Sequence, residues 1–273
     1  MGLLALKIFP AIAFAGALLG GGLAHGADPF HRPLRIESKE TAGRIAGEIH
    51  ALAPHPFAVT AAALKEPGHW CEIMLLHLDT KDCAVVPEGK GTVVRIGVVT
   101  HYDKPASSAF HASFNYHVVQ DTPAFMQVIL DAVSGPLGTS NYRIVLEATP
   151  AEGERSSIHM SYSYSYGTLA KIAMEAYFAT FGRGKVGFTE VGAEPDGKPR
   201  YIGGMRGVVE RNTMRYYLAV EAYLDSLAVP DDARVEKSLR SWYSAVEQYP
   251  RQLHEMGEGE YLAMKRKEFA GRS

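Results

Sequence analysis

Apolar and polar residues alternate along most of the chain between residues 73 and 167, and apolar residues recur at steps of three and four beyond it. The pattern predicts strands first and helices afterwards. The strand candidates are 73 to 80, 91 to 102, 108 to 121, 124 to 133, 140 to 150 and 156 to 167. Turn-forming stretches such as "PEGKG", "SGPLGTSN" and "PAEGER" separate them at hairpin intervals. Ahead of them, 34 to 52 alternates loosely, and 56 to 65 is helical, broken by "EPG" and resumed around Trp70. This predicts an antiparallel sheet of about six strands, curled on itself.

Helical spacing takes over at 168 to 182, with "KVGFTEVG" and "RYIGGMRG" as short strands or loops after it. The longest periodic stretch is 207 to 227, where Val209, Thr213, Tyr216, Val220, Tyr223 and Leu227 make one continuous face. Pro230 ends it. The tail from 231 predicts two more helices, with Asp231 or Asp232 as a cap and Leu239, Trp242 and Val246 as a buried stripe. The fold class is therefore α+β.

One strand stands out. In "IHMSYSYSYG" (158 to 167), Tyr162, Tyr164 and Tyr166 share one face and Ser161, Ser163 and Ser165 the other. Three tyrosines bring apolar area together with hydroxyls that need partners, which suits the wall of an amphipathic cavity. The other reading has them covering the outside of the sheet or packing under the helix 168 to 182.

The first 26 residues, with one early lysine and an Ala-, Leu- and Gly-rich apolar run, read as a secretory signal peptide. About 246 of the 273 residues would remain, enough for one large domain, 27–229, and a helical appendage, 230–273. An exported chain enters an oxidising space, periplasmic or extracellular, where its two cysteines, Cys71 and Cys83, predict a disulfide. With 28 basic and 30 acidic residues the net charge is -2, so no global field draws the protein to nucleic acid.

The segment "VTAAALKEPGHWCEIMLLHL", followed by a run of antiparallel strands and a long amphipathic helix, resembles the START-like helix-grip (SRPBCC) superfamily over roughly residues 34 to 229. That resemblance implies a sheet wrapped around the helix 207 to 227, with a cavity between them for a hydrophobic ligand. The helix 168 to 182 and the tail depart from the family pattern. The expected cavity wall takes apolar area from Trp70, Phe114, Tyr116, Tyr162, Tyr164 and Tyr216, with Asn212 and Arg215 at a polar end.

Candidate chemistry is sparse. Arg206, Glu210, Arg211, Asn212 and Arg215 crowd the start of the long helix, and they read as a salt-bridged helix start, facing solvent or locking the helix to a loop, ahead of a carboxylate or phosphate site. His111 and His117 share a strand face but stand too far apart for a common ligand sphere, and His159 is a cross-strand candidate of unknown register. No metal or cofactor is expected. There is no G-x-S-x-G elbow, and "GGMRG" lacks the G-x-G-x-x-G spacing as well as a preceding parallel-strand unit. The function class that fits is an exported carrier of a fatty-acid-like, sterol-like or polyketide-like amphiphile, with transient membrane or envelope-protein contact. Two others stay open: a cyclase- or hydrolase-type enzyme on the same scaffold, using Glu210 or a histidine as base, and an envelope interaction module working through the tail.

Overall fold

The computed structural model describes residues 34–89, 91–180 and 182–271; the expected signal peptide lies outside them. The chain opens with a hairpin, β1 (Leu34–Thr41) and β2 (Arg44–Ala53). The single loose strand expected over 34 to 52 is thus two, because Gly43 adopts φ 75° and reverses the chain. Helices α1 (Phe57–Leu64) and α2 (Pro67–Leu75) follow, the second starting with proline at its first turn. Residues 73 to 75 therefore end a helix instead of starting a strand. Trp70, Ile73 and Met74 sit at steps of three and four, all buried, and that spacing outweighs the short alternation.

Six strands come next: β3 (Thr80–Glu88), β4 (Gly91–Val98), β5 (Phe110–Thr122), β6 (Phe125–Ser134), β7 (Thr139–Ala151) and β8 (Arg155–Tyr166). With the opening hairpin they form one eight-stranded antiparallel sheet in the order β1-β2-β8-β7-β6-β5-β4-β3. Its register puts apolar residues opposite one another on the concave face: Ile49 faces Met160, Met160 faces Leu146, and Ile144 faces Tyr162. Helix α3 (Thr168–Ala179), a small hairpin of β9 (Glu190–Ala193) and β10 (Pro199–Tyr201), and the long α4 (Gly204–Ser226) complete the core. The chain has the helix-grip arrangement: α4 packs on the sheet along β2, β1 and β8.

The tail makes α5 (Asp231–Val246), a single turn α6 (Pro250–Leu253) and α7 (Glu258–Ala270), one element more than expected. Leu239, Trp242 and Val246 are buried as the spacing predicts. The expected Asp cap is not made: Pro230 takes the cap position, and Asp231 and Asp232 lie in the first turn. The tail is tied down firmly. The Trp242 indole donates to the Arg215 carbonyl at 3.1 Å, Tyr261 Oη to the Leu76 carbonyl at 3.0 Å, and buried Lys265 to the Thr80 carbonyl at 2.8 Å. Cys71 on α2 is disulfide-bonded to Cys83 on β3, with Cα atoms 5.3 Å apart. Closing so short a loop stabilises the fold by about 3 kcal/mol in the chain-entropy account.

Gly47 sets how closely α4 approaches. A β-carbon there would overlap the Thr213 hydroxyl and press on the Val209 carbonyl. Gly47→Ala should therefore destabilise by about 1–3 kcal/mol through overpacking, as read from chemical denaturation. An unchanged midpoint would mean that α4 does not rest on β2.

Candidate functional site

Across the rest of the concave face, the sheet and α4 are held apart by a cavity of about 240 Å³. Its sheet wall is aromatic: Phe114 on β5, Tyr142 on β7, and Tyr162 and Tyr164 on β8. These rings pack on one another, Tyr142 stacking on Tyr164 with centroids 5.2 Å apart and meeting Phe114 edge-on at 6.3 Å. Ala170 and Met174 of α3 and the turn at Pro136 and Leu137 close one side. The helix wall is a stripe of Val208, Asn212 and Tyr216, spaced four apart. Between Gly207 and Leu224 these are the α4 residues that are only half-buried; the others are buried.

The opposite end is polar, and the sequence did not mark it. His77 and Asp79, between α2 and β3, line the cavity beside Asn212. His77 is 4 % exposed, and its ring stacks on Tyr216 at 5.0 Å. Its Nδ1 accepts the Asp79 backbone N–H at 3.2 Å, which assigns the proton to Nε2. That Nε2 is buried, and the Asn212 side chain stands within interacting reach of the ring. Burial, with Arg215 and Lys265 nearby, holds the His77 pKa well below its ordinary value, so the ring is neutral. Burial likewise raises the Asp79 carboxyl, outweighing the pull of Arg215 and Lys265. The Tyr162, Tyr164 and Tyr216 hydroxyls are pushed upward, chiefly by burial, and stay protonated.

Five of the residues singled out from sequence, Phe114, Tyr162, Tyr164, Asn212 and Tyr216, meet in this wall. Three lie outside it. The Trp70 indole and Tyr116 hydroxyl both donate to the Leu64 carbonyl, at 2.8 and 3.2 Å, fastening α1 to α2 and to β5. Arg215 points the other way, to the Leu253 carbonyl at 3.1 Å and Glu255 at 3.0 Å. Tyr166, the last of the tyrosine row, is also outside, donating to Glu40 at 2.6 Å. Tyr142 was missed because its strand reads as ordinary alternation; His77 because it falls inside the strand candidate 73 to 80, with no metal-ligand motif around it.

The arginine cluster is a lock. Arg211 and Arg215 both pair with Glu255, Arg211 also donates to the Gln252 carbonyl, and Lys185 reaches Glu255 at 3.1 Å. Glu210, fully buried, accepts from Ser38 Oγ (2.5 Å), the Phe188 and Thr189 N–H groups (2.6 and 2.9 Å) and Thr189 Oγ1 (2.7 Å). Outside the cavity and held by four donors, it is not placed to act as a base there.

No protein-family model and no curated protein matches the chain. Solved structures that resemble it include norcoclaurine synthase from Thalictrum flavum in complex with dopamine and hydroxybenzaldehyde (13 % identity, 63 % of this chain and 86 % of that one, TM-score 0.35). Ara h 8.0201 has 12 % identity over 72 % of this chain and 100 % of its own, with TM-score 0.39. Human StAR-related lipid transfer protein 5 has 11 % identity over 54 % of this chain and 79 % of its own, with TM-score 0.34. Likeness at this level carries nothing about ligand or reaction, and the fold class rests on the strand order and the gripped helix. Among the described residues no helix is long and apolar enough to cross a membrane.

The Glu255 lock is testable. Burial pushes Glu255 upward, but Arg215, Arg211 and Lys185 more than offset this and hold it below its ordinary 4.5. A depressed carboxylate contributes stability above its unfolded pKa and loses it as pH falls through the folded value. Stability should therefore decline below about pH 4.5, and Glu255→Ala should cost about 3–5 kcal/mol at neutral pH by removing the carboxylate that both buried guanidiniums share. Thermal melts of both proteins from pH 7 to pH 3 check this. A variant as stable as wild type at pH 7 would contradict it.

Proposed function

We propose that this protein is an exported carrier that holds a small amphipathic molecule between the sheet and α4. The observation behind the reading is the open stripe Val208–Asn212–Tyr216 on an otherwise buried helix, facing an aromatic wall and ending at a polar pair, Asn212 and the buried His77. Rings supply contact area, while the Asn212 amide, oriented by the neighbouring His77, supplies hydrogen bonds to one head group. The disulfide supports the exported part of the reading.

Size and charge narrow the ligand. At about 240 Å³ the cavity lies below the roughly 300–1,000 Å³ of drug-sized ligand pockets, which suits a medium chain or a small ring system better than a sterol. His77 is neutral and Asp79 stands beside it, so a carbonyl or hydroxyl head fits better than an anionic one. His77 is neutral, buried and hydrogen-bonded to the Asn212 side chain, which favours a positioning part in recognition over proton abstraction and weakens the enzyme reading.

Calorimetric titration with 1-decanol and with decanoate tests the proposal. Saturable binding is expected, tighter for the alcohol, with Tyr164→Ala, Asn212→Leu and His77→Phe each weakening it about tenfold, or about 1.4 kcal/mol. Absence of saturable binding to either probe, or variants that bind as wild type does, would refute it.

Exchange with a lipid surface is part of the proposal. Alongside its cavity-lining residues, α3 carries Leu169 and Ile172, 84 % and 57 % exposed, and Leu137 on the neighbouring turn is 69 % exposed. Replacing Leu169 and Ile172 together by Asp should slow delivery of 1-decanol from phosphatidylcholine vesicles while leaving its equilibrium affinity unchanged. Equal transfer rates would remove α3 as the landing surface.

A further inference from the structure

The convex face of the sheet carries a second polar cluster, away from the cavity. Register places His50 of β2 opposite His159 of β8, and His159 opposite Glu147 of β7. Glu48 lies two residues before His50 and therefore on the same face. The two imidazoles stack, centroids 4.2 Å apart and planes 6° from parallel. His159 Nδ1 stands 2.9 Å from Glu147 Oε2, and Gln127 Nε2 fixes the other carboxylate oxygen at 2.5 Å. With Nδ1–H donated to Glu147, the lone pair of His159 lies on Nε2. That atom has no hydrogen-bond partner, and Glu48 Oε2 at 3.8 Å is too far to be one. One donor atom from each of Glu48, His50 and His159 lies within 4.8 Å of the others.

We propose that Glu48, His50 and His159 bind a divalent transition-metal ion of the zinc type, with Glu147 as the positioning partner of His159. Two imidazoles and one carboxylate suit zinc-like ions and are a poor set for magnesium or calcium, which take oxygen ligands. A carboxylate on the far nitrogen of a ligating histidine, itself hydrogen-bonded, is the arrangement that fixes tautomer and ring orientation in metal sites. Ligands at about 2.1 Å from a tetrahedral ion stand about 3.4 Å apart. Rotation of the exposed His50 and of Glu48 closes the remaining distance, while Glu147 keeps His159 in place. Water would take the fourth position.

The test is calorimetric titration of the full chain, without a histidine tag, with Zn²⁺ alone and with Mg²⁺ alone. One Zn²⁺ per chain is expected, with a dissociation constant on the order of 10 µM or tighter, and no Mg²⁺ binding. His50→Ala and His159→Ala should each weaken Zn²⁺ binding at least tenfold, and Glu147→Gln by about 10–100-fold. His111→Ala, at an exposed histidine paired with Asp82 on the same sheet, should change nothing. Circular dichroism melts confirm that the variants fold. Failure of Zn²⁺ to saturate below about 100 µM, Mg²⁺ binding as tight as Zn²⁺, or affinity unchanged by His50→Ala and His159→Ala would overturn the site.

Discussion

Helix α4 must be covered on two sides, and most of the structure follows from that. The sheet covers one side through β1, β2 and β8, and the tail covers the other through α5 and α6. The covering brings charge inside: Arg211 and Arg215 are 5 % exposed. Desolvated guanidiniums are costly unless paired and hydrogen-bonded, and Glu255 with the carbonyls of Gln252 and Leu253 supplies both needs. All three residues lie at or just after α6, so the arginines also decide where the tail crosses the helix.

The cavity is what this arrangement leaves over. Gly47 lets α4 come down on β2, at one edge of the concave surface, and the sheet curls away towards β4 and β5. Large rings on β5, β7 and β8 reach into the gap without filling it. Buried polar groups need partners, and His77 and Asn212 meet at the end of the half-buried stripe on α4, so the polar end and the stripe describe one feature from two sides.

Periodicity made the strands of the main sheet from β4 onward, the long helix and the buried stripe of α5 legible. The tyrosine row was equally plain, since a period of two carries through to the face it lines. Pattern failed where two signals competed: 34 to 52 hid a turn at Gly43, and 73 to 80 joined a helix end to a strand start. It failed more deeply at the cavity's polar end. Arg215 lies one position before the cavity-facing Tyr216, and only the tail, whose path no local pattern specifies, decides that the arginine turns outward to Glu255. His77 and His159 gain their meaning from register and long-range packing, which pair residues far apart in the chain.

Two-dimensional NMR spectra of the full chain with and without saturating 1-decanol test the central claim most directly. The account predicts shifts concentrated at Phe114, Tyr142, Tyr162, Tyr164, Asn212 and Tyr216, with the His77 ring moving as Asn212 engages the head group. Shifts confined to the convex face or to the groove between α4 and α5, with the cavity residues unmoved, would contradict it.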